Sequence, residues 1–216
     1  MSFGVICISR TTAAGGENVG DTVAQRLGFR YVDEQIIERA AQLAQVEPKL
    51  VEAAEHRRPL LQRLIDKLAT AYDLAGPVSL ATGVPVDAFV PGPLGYQAIP
   101  EDLRVLIRAA IHEVATLGQA VIVAHAASMA LAGTPGVLRV LVTASPAIRA
   151  QRLAVAQGIA ADAATAAIAT SDRERREYFH EFYKIKDELP THYDLVINTD
   201  VLTPQQAVEV IVTAAG

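Results

Sequence analysis

Disulfides, tryptophan and a surplus of positive charge are all missing from this chain of 216 residues. Cys7 is the only cysteine. One thiol builds neither an intrachain disulfide framework nor a thiolate cluster for a metal, so a reducing setting is expected. The formal net charge of −5 argues weakly against general nucleic-acid binding, which needs a basic surface, so no nucleic-acid partner is expected, although local arginine clusters stay open. Met1 to Val5 places no basic segment ahead of an apolar run. No export signal is therefore expected, and the cytoplasm is the expected location. Val114 to Leu138 lacks Asp, Glu, Lys and Arg, and by length alone reads as a membrane span. Gln119, His125, Ser128 and Thr134 interrupt it, and Gly133-Thr134-Pro135-Gly136 breaks it. Two strands buried on both faces are expected instead, with no membrane partner.

What is present is enough apolar material for one substantial core: 51% hydrophobic against 20% charged residues. A single domain over residues 1–216 is the expectation. Phe3 to Ser9 is a short apolar run and reads as a buried strand. Val19, Val23 and Leu27 then recur at helical spacing, with Asn18 placed as N-cap and Gly28 as terminator. Phe29 to Val32, Ala120 to Ala124, Val137 to Val142 and Asp194 to Ile197 read as further strands. Helices are expected from about Glu101 to Leu117 and from Thr203-Pro204 onward. Strands alternating with helices predict an α/β fold with a parallel sheet covered on both sides. Residues 34–100 read as a helical insertion followed by an arm, where Pro77, Pro85, Pro91, Pro93 and Pro100 accumulate between Gly76 and Pro100.

The loop after the first strand carries the chemistry. In a parallel α/β sheet the ligand crevice lies at the carboxyl ends of the strands. Gly15 and Gly16 let backbone amides converge on an anion there, and the following helix turns its positive end to the same point. A P-loop runs glycine, four residues, then Gly-Lys-Ser/Thr. Here Arg10 stands at the first glycine, Gly15 at the second, and Gly16 where the lysine belongs. Read alone, this is also compatible with an ordinary strand-to-helix turn.

Ile8-Ser9-Arg10 with Gly15-Gly16, Leu27 to Asp33, Ser171 to Tyr178 with Phe182-Tyr183, and Tyr193 to Asp200 together resemble the cytidylate-kinase-like family. The resemblance implies a three-layer P-loop kinase fold with five strands in the order 2-3-1-4-5. It implies ATP-dependent phosphoryl transfer to a nucleoside monophosphate, with Mg-ATP as cofactor and no dedicated protein metal site. Carried onto this chain, Arg10, Thr11, Thr12, Ala13, Ala14, Gly15, Gly16, Glu17 and Asn18 would cradle the donor's phosphates. Asp33 would stand beside the acceptor or its Mg²⁺, and Arg39 and His125 would bind the acceptor. Arg173 and Arg176, in a lid over residues 158–192, would neutralise charge on the transferred group. Arg149 and Arg152 would add basic support; a solvated helix face is the other reading of that pair.

This chain departs from the family pattern at two places. Glu17 replaces an arginine after Gly-Gly, and Ala124-His125-Ala126 replaces Gly-Arg-Gly. Two alternatives to an active kinase stay open. One is a relative that binds a nucleotide or another anion without transferring phosphate. The other is a homodimer or partner surface on the insertion and arm, where Leu60, Leu61, Leu64, Ile65 and Leu68 recur at helical spacing.

Overall fold

The computed structural model describes residues 2–44, 99–123 and 126–216. The insertion beyond Ala44, with its Leu/Ile stripe, the arm up to residue 98 and His125 lie outside the described residues.

Five strands form one parallel sheet in the order β2-β3-β1-β4-β5: β1 Val5–Arg10, β2 Arg30–Val32, β3 Ala120–Val123, β4 Val137–Thr143 and β5 Leu195–Asn198. This is the expected order. Parallel neighbours need crossover connections, and helices supply them: α1 Gly16–Leu27, α2 Gln35–Ala44, α3 Ile99–Leu117, α4 Ala127–Ala130, α5 Pro146–Gln157, α6 Ala161–Tyr183 and α7 Pro204–Ala215.

The central strand shows why the sheet needs cover on both faces. Val5 and Cys7 face one core, with Val32, Ile36, Ile107, Ile111 and Ile122. Ile6 and Ile8 face the other, with Val19, Val23, Val121, Val123 and Ile211. A two-residue alternation buried on both sides is what a parallel sheet between helical layers requires. Burial pushes the Cys7 thiol up to about 12, against a smaller opposing pull from Arg139, so it is an inert core side chain. A third cluster of Ala150, Ala164 and Ile168 lies between α5 and α6, and Ala13 packs onto it.

The run from Val114 to Leu138 resolves, among the described residues, into the end of α3, β3, α4 and the start of β4. No single described helix is long and apolar enough to cross a membrane. One expectation needs correction: Asn18 is not the N-cap of α1. The helix starts at Gly16, with Gly15 at the N-cap in the left-handed region (φ 84°) and no side chain capping it. Gly28 ends the helix as expected. At α7 the expected cap forms in full: Thr203 Oγ1 accepts from the Gln206 amide at 3.2 Å, and the Thr203 amide donates to Gln206 Oε1 at 2.9 Å.

Candidate functional site

β1 is the middle strand, so the loop that leaves it emerges between β3 and β4 at the carboxyl end of the sheet. Neighbours on several sides hold that loop. The Thr11 amide continues the ladder to the Val142 carbonyl at 3.1 Å, and the Thr11 and Thr143 hydroxyls meet at 3.2 Å. The Ala14 amide closes a turn onto the Thr11 carbonyl at 3.1 Å. Thr199 Oγ1, just past β5, donates to the Ala14 carbonyl at 2.9 Å. Arg152 in turn grips Thr199, through Oγ1 at 3.0 Å and the carbonyl at 2.5 Å.

The rest of the loop's backbone is left open. Among the described residues, the amides of Thr12, Ala13, Gly15, Gly16, Glu17 and Asn18 donate to no protein acceptor. The first amides of any helix lack intrahelical partners, and a side-chain cap usually takes one of them. Here none does, and the loop just ahead adds more open donors. Ala13 holds φ 62°, a left-handed conformation costing roughly 1–2 kcal/mol in a residue with a Cβ. Its methyl sits on the α5–α6 cluster, which offsets part of that cost.

Arg10 and Gly16 belong together. A Cβ built on Gly16 would lie 2.6 Å from Arg10 Cβ and 3.2 Å from its Cδ, so the arginine stem fills the space a lysine would need. The Arg10 guanidinium donates no hydrogen bond among the described residues. Its Nε lies 3.1 Å from Glu17 Oε1, yet Nε is buried and unsatisfied: the carboxylate is close but off the N–H axis. The contact is therefore Coulombic without being a hydrogen bond.

The helix α6 sits directly on this loop. Ser171 Oγ and Thr12 Oγ1 meet at 2.6 Å. Arg175, which sequence reasoning passed over, donates through Nη1 to the Arg10 carbonyl at 3.0 Å and chelates Glu188 at 2.7 and 2.6 Å. Tyr193 donates to the same carboxylate, and Phe179 lies under the guanidinium at 4.6 Å. Burial alone would raise the Glu188 carboxyl, but Arg175 and Tyr193 more than reverse this and hold it below the usual carboxylate range.

The other predicted side chains fall into distinct places. Arg173 and Arg176 are exposed on α6, with no hydrogen bond or ion pair among the described residues. Arg149 is buried rather than solvated, bound to Asp172 at 2.9 and 2.6 Å and to the Ala144 carbonyl at 2.9 Å. Arg39 is chelated by Glu113 at 2.9 and 3.0 Å, which ties α2 to α3. Asp33 follows β2 half-buried and accepts from the Tyr31 hydroxyl at 3.4 Å. Burial first, then Asp33, pushes that hydroxyl's pKa up to about 12. Among the described residues, no group of three or more His, Cys, Asp or Glu could hold a metal.

A parallel sheet in this order, with an amide-lined glycine loop after its central strand, defines the P-loop kinase fold. The model of the cytidylate kinase-like family matches residues 5–201, and the chain belongs to that family. Among solved structures, an uncharacterized protein from Eubacterium ventriosum is similar at TM-score 0.62 and 15% identity, over 98% of this chain and 97% of that one. TT1252 from Thermus thermophilus follows at 0.51 and 14%, over 99% and 96%. A gluconokinase from Sinorhizobium meliloti stands at 0.50 and 13%, over 100% and 93%. Likeness at such identity carries the fold. No curated protein matches the chain.

Proposed function

We propose that this chain binds ATP through the loop from Arg10 to Asn18 and transfers its γ-phosphoryl group to a nucleoside monophosphate of the cytidylate class. The observation that carries this reading is the coincidence at one point of open backbone amides and a guanidinium that makes no hydrogen bond. Such donors are what a polyphosphate takes up at a helix N-terminus.

In the reaction, an oxygen of the acceptor's phosphate attacks the γ-phosphorus. The bond from phosphorus to the β–γ bridging oxygen breaks, and ADP leaves. The residues' part is to position and to stabilise charge. The loop amides hold the donor's phosphates. Arg10 supplies the cation that a lysine supplies in the standard loop. Arg173 and Arg176, exposed on α6 and unpaired among the described residues, neutralise the transferred group. Asp33, at the carboxyl end of β2, orients the acceptor or a water on its metal. Mg²⁺ typically binds through phosphates plus one or two carboxylates, so it would arrive with the nucleotide and neutralise the β- and γ-oxygens. Arg149, Arg152 and Arg39 serve as struts. They already hold Asp172, Thr199 and Glu113.

The test is to incubate pure protein with Mg-ATP and each of CMP, dCMP, UMP and AMP. ADP release with CMP or dCMP is expected; silence with all of them at high enzyme concentration removes the transferase reading. The Arg10–Glu17 contact favours one second reading, nucleotide binding without transfer, because it places an anion beside the loop's cation. Thermal melting separates the two. A ligand at about 100 times its Kd stabilises by about 2.7 kcal/mol, and no shift with ATP, ADP or CDP overturns both readings.

A further inference from the structure

Glu17 lies in the first turn of α1, at the mouth of the loop whose amides are open. Its carboxylate stands 3.1 Å from Arg10 Nε, with the two side chains 46% and 26% exposed. Arg10 donates no hydrogen bond to it or to any other described residue, and Nε remains buried and unsatisfied. Salt bridges that are built to last in this chain look different. Arg149 with Asp172, Arg175 with Glu188 and Arg139 with Asp194 all use paired nitrogens and oxygens at hydrogen-bonding distance. The Arg10–Glu17 pair has charge without that fork geometry, the mark of a contact easily exchanged for a better acceptor.

We infer that Glu17 is an internal rival of the nucleotide's phosphate: its carboxylate occupies the charge position at Arg10 that a donor phosphate takes, and it must swing away for the phosphate to engage the guanidinium. The inference rests on the proposed nucleotide site. A phosphate oxygen beside Arg10 would satisfy the open donors and displace a singly charged carboxylate. Glu17 is at the helix surface and partly exposed, so rotation about its own side-chain bonds moves it into water without disturbing α1. The rival raises the threshold for binding: a group with little negative charge does not displace it, whereas a polyphosphate does.

Isothermal titration of ATP into four proteins tests this: the unmodified chain, Glu17→Gln, Arg10→Gln, and both together. Glu17→Gln keeps the side chain's shape, and Arg10→Gln keeps most of the stem over Gly16; melting curves verify that each variant is folded. Partly exposed ion pairs typically contribute factors of about two to five in an equilibrium constant. Glu17→Gln is expected to tighten ATP binding by about that factor when Arg10 is present, and by clearly less when residue 10 is glutamine. Equal tightening in both backgrounds means simple repulsion and overturns the rivalry, as does no tightening in either. Absence of ATP binding in all four proteins overturns the nucleotide site itself along with this inference. Binding that is intact but indifferent to Glu17 overturns the inference alone.

Discussion

At Gly16 the missing side chain is a matter of space rather than flexibility, because Arg10 Cβ would stand 2.6 Å from any Cβ placed there. Restoring the lysine of the standard loop therefore cannot restore a standard loop. Gly16→Lys is expected to destabilise the fold by about 1–3 kcal/mol, the usual cost of overpacking a tight site; urea unfolding measures it, and an unchanged midpoint would show that the arginine stem yields freely. Arg149 offers the opposite case. Its side chain is 4% exposed, and Asp172 is its sole carboxylate partner among the described residues. Asp172→Ala leaves that charge buried and uncompensated, and a loss of about 3 kcal/mol is expected in the same assay.

The helix α6 shows what a helix-spacing argument finds and what it misses. Arg173 and Arg176 are three apart and share a face, but it is the exposed one. The inward stripe runs Ala164, Ile168, Ser171, Arg175, Phe179, a helical period on which Arg175 falls. That period was legible in the residues. Its meaning was not, because Arg175 joins partners at positions 10, 188 and 193 that only the fold brings together. The cap of α1 failed for a related reason. Asn18 is a good capping residue by type, but Gly15 and Gly16 allow the helix to begin earlier, with its amides left open. The contrast with α7 is instructive, since Thr203, Pro204 and Gln206 carry the whole cap locally and could be read directly.

The Arg175–Glu188 anchor of α6 also bears on acid stability. Glu188 and Asp194 both titrate below the usual carboxylate range. In Glu188, Arg175 and Tyr193 override the upward push of burial, and in Asp194 the hydrogen bonds from Arg139 dominate. A carboxylate with a depressed native pKa contributes stability that is fully present above its unfolded value and lost as pH falls through the native one. Melting temperature is therefore expected to fall as pH drops below about 4.5, where unfolded carboxylates begin to protonate. Glu188→Gln should lower the melting temperature at pH 7 and flatten its decline in acid. An equally steep decline in that variant would place the acid sensitivity elsewhere.

On the scale of the whole molecule, alternation of short β-branched runs with helical pattern was enough to read a parallel α/β sheet, since the burial of β1, β3 and β4 on both faces shows in their composition. Strand order was not readable from periodicity. It came with the family likeness, and the structure shows the same order. The site divides along the same line. The glycine loop announces itself locally, whereas the fate of each arginine depends on its neighbours in space: Arg149, Arg152 and Arg39 become braces, and Arg10 meets Glu17 without a hydrogen bond among the described residues.

The Thr199 hydroxyl that supports the Ala14 carbonyl reaches back 185 positions along the chain. A ribosome making this protein releases the loop after β1 well before the threonine that supports it. Until that threonine emerges, the nascent loop lacks one of its supports, so the growing polypeptide cannot hold that loop in its finished form. Completion of the loop is thus deferred until β5 has been made.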